Sequence, residues 1–116
     1  MQFVCYPKCS TCQKAKRWLE ENGIPYEMRD IKLENPSAQE MAEWHRRSGL
    51  PLKKFFNTSG LLYKSMELKN KLPGMPEAEM LRLLATDGML VKRPLLVGEN
   101  FVLVGFKEAE WAQRLK

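Results

Sequence analysis

Only three cysteines and one histidine occur among the 116 residues, too few for a disulfide framework. Zinc normally takes four ligands, yet the chain has one C-x-x-C and His45 alone among histidines, so no metal is expected. No apolar run approaches the ~20 residues of a membrane-spanning helix. No charged-then-apolar leader opens the chain, and Met1 runs almost directly into the first apolar stretch. A cytoplasmic protein without a membrane partner is expected. Blocks of like charge are absent too. Nineteen Lys and Arg against 14 Asp and Glu leave a net charge of +5, with Glu20-Glu21 following Lys16-Arg17 and Glu77 and Glu79 preceding Arg82. Interspersion of this kind gives a solvated surface rather than a stripe for direct nucleic-acid binding. Repeats, low-complexity tracts and linkers are missing. With 44% hydrophobic residues, the chain is expected to form one monomeric domain over 1–116.

What is present centres on Tyr6-Pro7-Lys8-Cys9-Ser10-Thr11-Cys12, between a short apolar run and an amphipathic segment. Two cysteines three positions apart at a strand-to-helix junction suit a reactive thiol. The helix start offers unpaired N–H groups and a positive dipole end, and Lys8, Lys14, Lys16 and Arg17 add positive charge. Cys9 would lie at that end, with Cys12 one turn further in. The pair could be a partial metal site, a chance placement, or a redox or nucleophilic pair, and the junction favours the last. In a reducing compartment such a pair is catalytic or sensory more often than structural.

The remaining elements follow from pattern. Gln2–Tyr6 reads as a strand halted by Pro7, with Cys5 expected to be a buried, inert thiol. Cys12, Ala15, Trp18 and Leu19 recur at helical spacing over Ser10–Asn22, and Gly23 suits a left-handed cap. Pro25–Ile31 reads as a second strand, completing a βαβ unit with parallel strands. Ser37 and Glu40 have capping-box spacing and open a helix to about Arg47 with Met41 and Trp44 inward. A helical turn then leads into a donor-rich loop, Asn57-Thr58-Ser59-Gly60. Short broken helices are expected over Leu61–Leu72, and a helix from Pro76 is closed by Asp87-Gly88. Pro94–Val97 and Phe101–Val104 form an antiparallel hairpin, and Lys107–Leu115 a last helix. Trp18, Trp44 and Trp111 are expected in the core, and His45 on or near the surface of its helix. The order β-α-β, helices, β-β-α is that of a thioredoxin/glutaredoxin-like α/β fold, with a helical insertion at about 35–88 between its halves.

Four stretches carry a family resemblance: Tyr-Pro-Lys-Cys-Ser-Thr-Cys-Gln-Lys-Ala at 6–15, Phe-Phe-Asn-Thr-Ser-Gly at 55–60, Asp-Gly-Met-Leu-Val-Lys-Arg-Pro at 87–94 and Val-Gly-Phe at 104–106. Together, in order and over essentially the whole chain, they resemble the arsenate reductase-like ArsC/Spx family. The resemblance implies Cys9 as nucleophile and Arg93 before a cis Pro94 that faces the thiol. A guanidinium there would stabilise a thiolate or bind an oxyanion, with Ser10, Thr11, Pro94 and Ser59 as its neighbours in the binding site. Arsenate reductases of this class carry a three-arginine cradle. Here Arg93 alone is retained, Ser59 stands where an arginine is usual, and the hairpin has no arginine. Two lost charge-assisted contacts are worth about 3–6 kcal/mol, at ~1.5–3 each. Cys12 is extra relative to single-cysteine reductases and, as in Spx-type proteins, would allow a Cys9–Cys12 disulfide. The resemblance thus leads to a thiol-disulfide oxidoreductase in which Cys9 attacks and Cys12 resolves. It would hold no bound cofactor, and a thioredoxin- or glutaredoxin-like protein or a small thiol would re-reduce it. The alternative is an Spx-like redox-sensing regulator that binds RNA polymerase.

Overall fold

The computed structural model describes residues 1–116. In chain order it contains β1 (Gln2–Cys5), α1 (Ser10–Glu21), β2 (Glu27–Asp30), α2 (Ala38–Ser48), α3 (Leu61–Ser65), α4 (Leu68–Lys71), α5 (Glu77–Leu84), β3 (Leu95–Val97), β4 (Val102–Val104) and α6 (Glu108–Leu115). Single 3-10 turns occupy Leu52–Phe55, Leu72–Gly74 and Gly88–Leu90. The four strands form one sheet in the order β2-β1-β3-β4. β1 runs parallel to β2, Gln2 opposite Glu27 and Cys5 opposite Asp30, while β3 is antiparallel to both β1 and β4. This is the expected thioredoxin-like arrangement with helices between its halves.

Strand alternation divides the core between the two sheet faces. Phe3, Cys5, Leu96 and Leu103 pack with Cys12, Ala15, Trp18 and Leu19 of α1 and Trp111 of α6. The Trp111 ring meets Phe3, Trp18 and Phe106 edge-on at centroid distances of 6.4, 6.2 and 4.9 Å, and its Nε1–H donates to the Gly105 carbonyl at 3.1 Å. Val4, Leu95, Val97 and Val102 face the opposite way, onto Met41, Trp44, Phe55, Phe56, Leu68, Leu72 and Leu84 of the inserted helices. His45 lies edge-on to Phe55 at 6.2 Å, half-buried on α2. No helix is long and apolar enough to cross a membrane.

Several boundaries differ from the sequence reading: β2 is shorter than the expected Pro25–Ile31, β3 and β4 each start one residue later, and two further differences have local causes. β1 stops before Tyr6 because the Tyr6 N–H turns away from the sheet and donates to the Cys12 sulfur at 3.4 Å. α5 ends at Leu84 rather than at Asp87-Gly88. The Asp87 carboxylate accepts from the Met89 N–H at 2.8 Å and so starts the next 3-10 turn instead of closing the helix.

Candidate active site

The turn between β1 and α1 sets the first wall of the site. The Cys9 N–H donates to the Tyr6 carbonyl at 2.9 Å, and the Gln13 side-chain amide clamps the Pro7 carbonyl at 3.0 Å. Cys9 therefore takes the N-cap position of α1 in extended geometry, with its side chain making no capping bond. Its thiol stays partly exposed, whereas Cys5 and Cys12 are 1% and 2% exposed. All three thiols are free, so Cys9 and Cys12 are close in the chain but not joined. Hydrogen bonding with the Cys5 thiol, reinforced by burial, pushes the Cys12 thiol far above its ordinary range. The same hydrogen bond, helped by Lys16, draws Cys5 down against its burial.

The second wall is the stretch before β3. The Lys92 N–H donates to the Phe55 carbonyl at 2.7 Å and the Asn57 N–H to the Leu90 carbonyl at 2.8 Å, around a bridge between Phe56 and Val91. These bonds hold the Asn57–Gly60 loop beside Arg93. The Arg93–Pro94 peptide is cis, and the Pro94 carbonyl accepts from the Gly105 N–H at 2.8 Å. Arg93 lays its guanidinium over the Tyr6 ring, 5.4 Å from the centroid. Its Nε and Nη1 are buried and have no hydrogen-bond partner in the protein. Donors in that state are ready for an anionic or carbonyl-bearing ligand.

Between the walls lies a cleft of about 750 Å³. Cys9, Thr11, Ser59 and Arg93 all line it, with Asn57 and Gly60 of the donor-rich loop. Ser10 is exposed outside the lining, Pro94 is buried behind it, and Cys12 lies beneath Cys9 in the α1–sheet core. Sequence reasoning missed Lys92 and Lys107, which add positive charge to the cleft, and Leu62, Met89 and Phe106, which make it partly apolar. Lys92 and Phe106 belong to motifs already singled out, so their proximity to Arg93 and Gly105 was the available signal.

The sequence pattern of the ArsC family matches residues 5–114. The chain is 50% identical over 113 residues to the Bacillus subtilis (strain 168) protein YusI, described as uncharacterized, covering 97% of this chain and 96% of that protein. It is 30% identical over 104 residues to the global transcriptional regulator Spx 1 of Bacillus cereus, covering 90% of this chain and 78% of the regulator. The crystal structure of an ArsC family related protein from Bacteroides fragilis superposes with a TM-score of 0.95 at 59% identity, over 97% of this chain and 94% of that one.

Proposed function

We propose that this chain, which belongs to the ArsC family, is a cytoplasmic thiol-disulfide oxidoreductase. The observation that carries the reading is one cleft that holds both the N-cap thiol of Cys9 and a guanidinium with two unpartnered buried nitrogens. Cys9 lies at the N-terminal end of α1 and is taken to react as the thiolate. That thiolate attacks one sulfur of a substrate disulfide and the other leaves as a thiol. The Cys12 sulfur then displaces the bound half, forming a Cys9–Cys12 disulfide and releasing the second thiol. A thioredoxin- or glutaredoxin-like protein reduces the pair. Arg93 receives an anionic group of the substrate, and Thr11 and Ser59 offer further hydroxyl donors. With a single arginine in the cleft, arsenate is a poor substrate.

Turnover of hydroxyethyl disulfide, coupled to NADPH through thioredoxin or glutaredoxin and their reductases, tests this. Cys9→Ser is expected to lower the rate by at least about a hundredfold. Cys12→Ser is expected to accumulate a mixed disulfide on Cys9, visible as added mass that a reductant removes. Turnover that survives in Cys9→Ser sinks the proposal.

The likeness to the global transcriptional regulator Spx 1 favours a second reading. In it, the Cys9–Cys12 disulfide alters an interface with RNA polymerase. Oxidised and reduced protein would then bind polymerase differently, and equal binding by both forms counts against it.

A further inference from the structure

We propose that Cys5 is a third thiol of this site, which takes Cys12 from the Cys9–Cys12 disulfide, stores the oxidation as a buried Cys5–Cys12 disulfide and frees Cys9. The inference rests on the oxidoreductase reading, which supplies the first disulfide.

The placement comes from strand alternation. Phe3 and Cys5 of β1 face α1, while Val4 between them faces the inserted helices. Cys12, in the first turn of α1, is the helix residue whose sulfur comes down onto this end of the strand. It accepts from the N–H of Tyr6, the residue bonded to Cys5, at 3.4 Å. Cys5 and Cys12 pack in the same cluster between β1 and α1. Both also line a small cavity of about 220 Å³, with Pro7, Gln13 and Lys16 among its other walls. No residue of that cavity lines the Cys9 cleft. Cys12 is thus the middle sulfur, with Cys9 at the helix start on one side and Cys5 on the strand on the other.

The exchange is balanced without an outside oxidant. The Cys5 thiolate attacks the Cys12 sulfur of the Cys9–Cys12 disulfide, a Cys5–Cys12 bond forms, and the Cys9–Cys12 bond breaks with Cys9 leaving as thiolate. The proton lost by Cys5 is matched by the one Cys9 can take up. Lys16, which lines the same cavity, favours the attacking Cys5 thiolate. The leaving group is also well placed, since Cys9 sits at the positive end of α1. The product carries its oxidation in the core while Cys9 stands free in the cleft. Return follows the same path: Cys9 attacks Cys12, and the restored Cys9–Cys12 disulfide is opened by the reductant.

Mapping of the oxidised full chain tests the step. The reduced protein is treated with one equivalent of hydroxyethyl disulfide, quenched in acid, unfolded, labelled with N-ethylmaleimide and digested for mass spectrometry. The expected product has Cys9 labelled and the Cys5 and Cys12 peptides joined. Cys5→Ala, treated identically, is expected to join Cys9 to Cys12 and to lose the Cys9 label. Wild-type protein found with Cys9 joined to Cys12 and Cys5 labelled overturns the third-thiol step and leaves the oxidoreductase reading standing. If neither disulfide forms and Cys9 merely retains the small thiol, the underlying two-cysteine reading fails and this proposal with it. The wild-type map decides the matter even if Cys5→Ala does not fold.

Discussion

Arg93 is the residue whose state says most about the cleft. A guanidinium laid over Tyr6 with Nε and Nη1 buried and unpartnered keeps its charge aimed at whatever approaches Cys9. A neighbouring full charge that is largely screened by solvent contributes on the order of 1 kcal/mol. Iodoacetate, an anion, is therefore expected to alkylate Cys9 faster relative to neutral iodoacetamide than it alkylates a free thiol. Arg93→Met should lower that rate ratio by roughly three- to sevenfold while leaving the iodoacetamide rate nearly unchanged. An unchanged ratio would mean that Arg93 does not act on the cleft. Much of this site was legible at the residue scale. Cys9 followed from its position before a helix, whereas Arg93 on pattern alone was as consistent with a solvated surface residue, and the expected thioredoxin-type fold and the family resemblance tied it to the thiol. Cys5 is buried, as expected for a thiol inside an apolar run, but its place beside Cys12 was not readable there. What matters is that β1 alternation turns it under α1, onto Cys12.

Element scale is where capping and pairing rules explain most of the fold. Ser37 and Glu40 form the expected capping box at α2, with the Glu40 N–H donating to the Ser37 hydroxyl at 3.1 Å and the Ser37 N–H donating to Glu40 at 3.1 Å. The same Glu40 carboxylate takes both ends of the Arg29 guanidinium at 2.7 and 2.9 Å, tying α2 to β2 across the sheet edge. The pairing of Arg29 with Glu40 was not readable, because nothing local says which of the many carboxylates faces a given arginine. Arg29 holds the Glu40 carboxyl down at about 2, against an ordinary 4.5. A folded value below the unfolded one means that the stabilisation is complete above about pH 5 and disappears as pH falls toward 2. Because the Glu40 side chain is 37% exposed, solvent reduces the effect, and Glu40→Gln is expected to cost about 1–2 kcal/mol at pH 7. Urea unfolding at pH 7 and pH 3 should show the gap between wild type and variant narrowing at the lower pH. A gap independent of pH would remove the charge from the explanation.

The whole molecule depends on how the inserted helices are joined back to the sheet. Their last turn begins at Gly88, and a Cβ placed there would lie 1.9 Å from the Ile31 carbonyl oxygen and 2.8 Å from its carbon, both of them backbone atoms just after β2. A second tie runs beside it, from the Asn35 amide to the Ala85 carbonyl at 2.5 Å. The chain therefore leaves the first half of the fold and returns to the second at nearly one place. From there Leu90 and Val91 enter the core and Lys92 and Arg93 reach the cleft. The sequence offers Asp87-Gly88 as a turn, but the demand for glycine comes from a carbonyl far away in the chain, which no local pattern can reveal. Gly88→Ala must push the β2 exit and the insertion end apart, and is expected to destabilise the protein by about 2–4 kcal/mol. Gly74→Ala is the control, since nothing lies within 4 Å of a Cβ at that position, and its effect should stay within about 0.5 kcal/mol. If the junction joins both halves of the fold, urea unfolding of Gly88→Ala will remain one transition with a lower midpoint and an unchanged slope. A separate early transition would instead show the inserted helices coming away while the sheet, α1 and α6 stay folded, and would place the cooperativity of the molecule elsewhere than at this contact.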